Sequence, residues 1–365
     1  MSKDLWVTLG ALAGIIAFVL LFGTIDPFAR PTSAPTSDIP LGSFDGSGAF
    51  ADSLTKAQLA SPAAATGSTS TKASTTPDAS ATTPPGLALA LGDLRDSLVN
   101  IVCAARDGSV RSVSGSGVII SKDGLILTNS HIAQLFLLKN YPNKNNVVCV
   151  VRNGNPARTA YYADIAYISN SWMTRNPRTL VLQNPTGTGQ DDFAVLAITA
   201  SATDAALPTV FPYVPLTKDE PYDNQPVAIG SYGAQTLTAT QIKNALYPSL
   251  VFAKVKERYT FEQTTVDVLS LGGSVVAQHG SSGGGAVNQK GELIALITTS
   301  TTEGALVDRD LHAITIGHIR RSFLADTGTT FDSFLTSNTP GGLVTAFKDQ
   351  ATTLATTLTK ALSSK

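Results

Sequence analysis

From residue 87 the chain gives, after an opening helical pattern, a succession of short β-rich runs broken by turn residues, and this pattern leaves it few architectures. "GSGVIIS" and "LILTNS" flank "KDG", a hairpin signal. "NNVVCVVRNG" enters an Asn-Gly turn, and "TAYYADIAYIS", "DFAVLAIT", "QPVAIGSYG", "SLVFAKVKERYTF", "TTVDVLSLGG" and "ELIALITTS" continue the series. Many short strands with few helical patterns between them predict an all-β sandwich or barrel. No solenoid repeat is present.

The flanks read differently. "LWVTLGALAGIIAFVLLFGTI", Leu5 to Ile25, is uncharged and apolar. As a helix it spans about 31 Å, close to the ~30 Å hydrocarbon core of a bilayer. No clear small-residue cleavage site follows, so residues 1–25 read as an uncleaved single-pass anchor in the lipid bilayer, with the large domain outside the cytoplasm. Residues 26–86 are rich in Ser, Thr, Ala and Pro and poor in large apolar side chains. Such a segment buries too little surface to offset its ordering entropy and reads as a disordered tether reaching roughly 45 Å. The β-rich domain is expected over 87–330. In the tail, 331–365, Leu343, Phe347, Ala351, Leu354, Leu358 and Leu362 recur at helical spacing. That stripe predicts an amphipathic helix docked on the domain; its polar face is Thr-rich, not basic as in membrane-surface helices.

A net charge of -1 with no long basic block argues against nucleic acid as a partner. The two cysteines, Cys103 and Cys149, match no zinc spacing, and His312 and His318 form no metal pair, so neither metal nor cofactor is expected.

Chemistry concentrates in "HGSSGGGAVN", residues 279–288. Gly280-Ser281-Ser282-Gly283-Gly284 fits G-x-S-x-G, followed by strand, turn and strand rather than by a helix. A serine nucleophile needs a base, a carboxylate to orient that base, and N–H donors for the oxyanion. An α/β-hydrolase would place acid and base after the serine. Upstream, His131 follows a hairpin, and Asp191 and Asp192 stand at the mouth of an apolar strand.

In that order, "SGSGVIISKDGLILTNSHIA", "DDFAVLAI" and "GSSGGGAVNQKGELIAL" resemble the three signatures of trypsin-like serine peptidases, closest to the bacterial HtrA-like (Deg) branch, over residues 95 to 320. The resemblance implies two packed antiparallel six-stranded β-barrels, His131 as base, Asp192 rather than Asp191 as acid, and Ser282 as nucleophile. It also implies an oxyanion hole from the N–H groups of Gly280 and Ser282. Ser281 departs from the family's usual Asp or Asn, Gly285 from its frequent Pro, and no room remains for a PDZ domain. Val276 and Ala277 would form the base of the primary pocket, and Ile297, Thr298, Thr299 and Ser300 its wall. That uncharged set implies a small or medium aliphatic residue before the scissile bond. Both cysteines would fall in the first barrel, where they form either a disulfide outside the cytoplasm or two buried thiols.

The function implied is a membrane-anchored serine endopeptidase acting on envelope or extracellular proteins. The alternative is a catalytically silent protease fold serving as a binding or sensing module at the membrane.

Overall fold

The computed structural model describes residues 55–56, 84–182, 187–261, 264–300 and 305–363. Six strands close a barrel: β1 (Leu98–Ala105), β2 (Val113–Ile119), β3 (Leu125–Thr128), β4 (Val147–Asn153), β5 (Arg158–Ile168) and β6 (Ala194–Ser201). Their order around the barrel is β1-β2-β3-β6-β5-β4. β2 and β3 are buried along their whole length, and "VSGSGVI" carries four small residues in a row, Ser114 to Gly117. A Cβ on Gly117 would stand 2.6 Å from Ile126. Cys103 and Cys149 face each other across β1 and β4 and form a disulfide with an S–S distance of 2.02 Å. Closing a loop of this length contributes about 4 kcal/mol in the chain-entropy account.

The second half comprises β7 (Pro226–Ser231), β8 (Ser249–Lys254), β9 (Glu257–Thr260), β10 (Val268–Ser270), β11 (Gly285–Val287), β12 (Leu293–Ser300) and β13 (Leu311–Thr315). The sheet order is β9-β10-β13-β12-β11-β7-β8, with the pair Thr55–Lys56 added outside β9. This corrects the expectation of a second closed six-stranded barrel: among the described residues no ladder joins β8 to β9. The two are halves of one bent segment. Val255 N–H bonds to Gln225 O on the β7 side and Lys256 N–H to Ser270 O on the β10 side, so the chain changes partner within two residues. The backbone, not a hydrogen-bonded pair, spans the opening.

Helix α1 (Pro85–Ser97) lies against β7 and β11 and also touches β2. It buries Leu87, Ala90 and Leu94 between the halves. After β13 the chain forms α2 (Ile316–Thr327), capped by Thr315 Oγ1 accepting from His318 N–H at 2.9 Å and ended by Gly328 at φ 74°. It then returns to the first barrel through α3 (Phe331–Thr336) and α4 (Pro340–Ser363). α4 packs on β5 and β6 and buries Leu343, Phe347, Leu354 and Leu358; Ala351 and Leu362 of the predicted stripe are only half-buried. Tyr167, Phe193, Phe323, Phe331, Phe334 and Phe347 form a ring cluster that joins this tail to the barrel beside the entry to β6.

Among the described residues no helix is long and apolar enough to cross a membrane. The run Leu5–Ile25 lies outside them, as does most of 26–86.

Candidate active site

The stretch 129–131 grips the entry to β6 with successive residues. Asn129 Nδ2 donates to Asp192 O (2.8 Å) and Ser130 Oγ to Phe193 O (2.6 Å). His131 donates its backbone N–H to Asp192 Oδ1 at 2.9 Å, and its Nδ1 lies 2.6 Å from Asp192 Oδ2. Both side chains are buried. With Nδ1–H committed to the carboxylate, the lone pair of the neutral ring resides on Nε2, the atom a base would use.

Ser282 is positioned by backbone. Its carbonyl accepts Ser116 N–H at 2.7 Å, and Ser116 Oγ donates to Gly280 O (2.7 Å) while accepting from Tyr232 N–H (2.8 Å). Gly283 lies at φ 85°, and a Cβ there would fall 2.0 Å from Ser116 O and 2.6 Å from Thr128 Oγ1, three residues before His131. Gly280 lies at φ 92° with the Tyr232 carbonyl 2.7 Å from where its Cβ would be. Only glycine meets both demands. The N–H groups of Ser281, Gly283 and Gly284 bond to Gln278 O, Ile297 O and Ser281 O. Among the described residues no acceptor faces the N–H of Gly280 or of Ser282, so the turn has two donors to offer.

Thr298 on β12 is the meeting point. Ser282 Oγ donates to its carbonyl at 3.4 Å. Gly189, whose carbonyl accepts Asp192 N–H at 3.1 Å, packs so closely that a Cβ would stand 2.8 Å from Thr298 Cγ2. The loops of Asp192 and Ser282 therefore touch the same residue, while His131 and Asp192 are in direct contact. Ser281, the departure noted in sequence, is buried and takes a hydrogen bond from Ser231 Oγ at 2.9 Å, so a neutral hydroxyl pair occupies that position.

Of the residues expected to form a pocket, Val276, Ala277 and Ile297 belong to the apolar core of the second half, Thr298 is buried, and Thr299 pairs with His312 between β12 and β13. Beside them stands a cation that spacing did not reveal. Arg309 is buried and donates from Nη1 to Ala277 O (3.0 Å) and Gln235 Oε1 (2.7 Å). Gln235 Oε1 also accepts His279 N–H at 3.4 Å, and Ala234 N–H bonds to His279 O at 2.7 Å. Three loops are thus tied at the approach to Gly280. His312 lies 3.1 Å from Asp310 through Nε2. Burial pushes the Asp310 carboxyl up, but hydrogen bonds from His312, Ser270 and Gly272 outweigh it and hold the group below its ordinary range.

Residues 115–296 match the trypsin-like peptidase domain family. No curated protein matches the chain. Similar solved structures include a serine endoprotease from Yersinia pestis, at 20% identity, covering 68% of this chain and 69% of that one, with a TM-score of 0.42. The active form of the Rv3671c protease from M. tuberculosis is similar at 18% identity over 72% of this chain and 96% of that one, with a TM-score of 0.41.

Proposed function

Because this chain carries a trypsin-like peptidase domain of the serine endopeptidase class, we propose that His131, Asp192 and Ser282 form its catalytic triad and that it cleaves envelope or extracellular proteins from a membrane tether. The observation that carries the triad is the buried contact of His131 Nδ1 with Asp192 Oδ2 at 2.6 Å. Ser282 Oγ rotates from the Thr298 carbonyl toward His131 and attacks the scissile carbonyl carbon as Nε2 takes its proton. Asp192 stabilises the imidazolium that results. The oxyanion receives the N–H groups of Gly280 and Ser282, each worth about 3–4 kcal/mol of barrier. Nε2 then protonates the leaving amine as the C–N bond breaks. Water, deprotonated by the same nitrogen, releases the acyl group from Ser282.

The tether reading is supported by the apolar run Leu5–Ile25, and the Cys103–Cys149 bridge favours an oxidising compartment for the domain. For substrate, the aliphatic residue before the scissile bond expected from sequence stays the reading under test, although Val276, Ala277 and Ile297 pack into the core of the second half.

The test is Ser282→Ala in the full chain. It should abolish casein cleavage and labelling by a fluorophosphonate probe while circular dichroism stays the same. Undiminished cleavage would falsify the assignment, and a wild-type protein that neither labels nor cleaves would favour the binding-module reading. Peptides carrying Val, Ala or Glu before the scissile bond rank the pocket; a Glu preference would point to Arg309 instead.

A further inference from the structure

The proposed mechanism leaves one buried charged cluster unused, and it starts at the residue next to Asp192. Asp191 is buried in the left-handed region, φ 59°. Its Oδ1 lies 3.2 Å from His318 Nε2, and its Oδ2 takes the guanidinium of Arg175. The other imidazole nitrogen, Nδ1, lies 3.1 Å from Asp267 Oδ1, which also takes Arg321 Nη2 at 2.6 Å. Asp267 Oδ2 accepts Phe261 N–H at 2.8 Å and Thr260 Oγ1 at 3.1 Å, and the edge-on ring of Phe261 lies 5.0 Å from the imidazole.

Both ring nitrogens therefore face carboxylate oxygens, Nε2 also standing 3.4 Å from the Asp191 N–H, and only the imidazolium donates to both carboxylates. Burial favours the neutral ring, but hydrogen bonds to Asp191 and Asp267 and their charges outweigh it and raise the His318 pKa. The two carboxylates respond in kind. Burial pushes each up, and the His318 hydrogen bond, with those of Ser322 and Arg175 on Asp191 or Phe261 and Arg321 on Asp267, brings each well below its usual range.

The cluster spans the molecule's two halves. Asp191 lies in the loop entering β6 of the first barrel, Asp267 in the turn entering β10 of the second sheet, and His318 and Arg321 on α2. We infer that His318, held between Asp191 and Asp267, is a positioning residue that aims the Asp192 carboxylate at His131. The peptide bond between 191 and 192 transmits the constraint: with Asp191 anchored, Asp192 has little freedom to swing its Oδ2 out of the 2.6 Å contact. Displacements of about 1 Å in such groups cost on the order of 100-fold in rate.

This inference rests on the triad reading above. The test compares wild type with His318→Gln in the full chain, using fluorophosphonate inactivation kinetics and the downfield proton resonance of His131 Nδ1. The maximal inactivation rate should fall about 10- to 100-fold. The half-saturating probe concentration should stay within about threefold, because the cluster does not meet the substrate. The downfield resonance should broaden or move in a protein whose circular dichroism is unchanged. Wild-type kinetics and an unmoved resonance in the folded variant overturn the proposal. Should His318→Gln fail to fold, Arg321→Gln, at a half-exposed side chain, decides by the same readouts. A smaller fall with the same resonance change supports the clamp, and no change in either overturns it. Ser282→Ala run in parallel separates the two failures: persistent labelling there sinks the triad reading and this inference with it, whereas lost labelling beside an unaffected His318→Gln sinks the clamp alone.

Discussion

On the first barrel, His131 and Asp192 are held by side chains: Asn129, Ser130 and the imidazole itself each reach the mouth of β6. On the second sheet, Ser282 is held mainly by carbonyls and N–H groups, with Ser116 Oγ reaching the turn from β2, around glycines that no other residue can replace. Side-chain anchoring is divisible, since each donor can be removed with its neighbours intact. Backbone anchoring is not, because a single Cβ at Gly283 collides with main chain. Substitutions on the first side should therefore separate chemistry from stability, and those on the second should lose both together.

The largest expected effect is on chemistry alone. Asp192→Asn should lower kcat by about 10^4, the scale for a triad aspartate, with a melting temperature near wild type. A fall below about tenfold would break the division drawn here. Next, Gly283→Ala should cost about 3 kcal/mol or more in urea unfolding and abolish fluorophosphonate labelling, since backbone rather than a flexible side chain must move. A folded and active Gly283→Ala would remove the distinction between the halves. The double replacement of Cys103 and Cys149 by Ser should cost about 2–4 kcal/mol while leaving labelling at 25 °C intact, because the β1–β4 ladder and the grip on Asp192 do not depend on it.

The smallest effect concerns pH. His318 has a raised pKa in the folded chain, so its contribution is complete below its unfolded value of 6.5 and is lost as pH rises through the folded value. Asp191 and Asp267 have lowered pKa values, so theirs is complete above 3.8 and is lost as pH falls through the folded values. The clamp contributes most between those limits. Melting temperature should therefore decline from pH 6 toward pH 9, and His318→Gln should flatten that decline by a few degrees, roughly the shift of 1 kcal/mol in a domain of this size. Parallel curves for the two proteins would show that other groups set the alkaline limb.

The strand series and the three motifs were legible because they are local: alternation, turn residues and glycine spacing lie within a few residues of one another. What escaped depends on contacts between distant segments. Arg309 reaches Ala277 and Gln235 across 32 and 74 positions, and no spacing announces that. His318 carries no signal in sequence because its carboxylates come from Asp191 and Asp267, on two other loops. A closed second barrel was what the resemblance implied; "SLVFAKVKERYTF" gives no sign of the change of partner at Val255 and Lys256, which is set by Gln225 and Ser270, not by that run. Asn129 and Ser130 did carry a signal, two small polar residues just before a histidine.

Ser116 has a mechanical corollary. From a strand of the first barrel it fastens the carbonyls of Gly280 and Ser282 and the amide of Tyr232. Ser282, although encoded in the second half, is bolted to the half that carries His131. Any displacement of one half against the other would therefore carry Ser282 along with the barrel that holds His131.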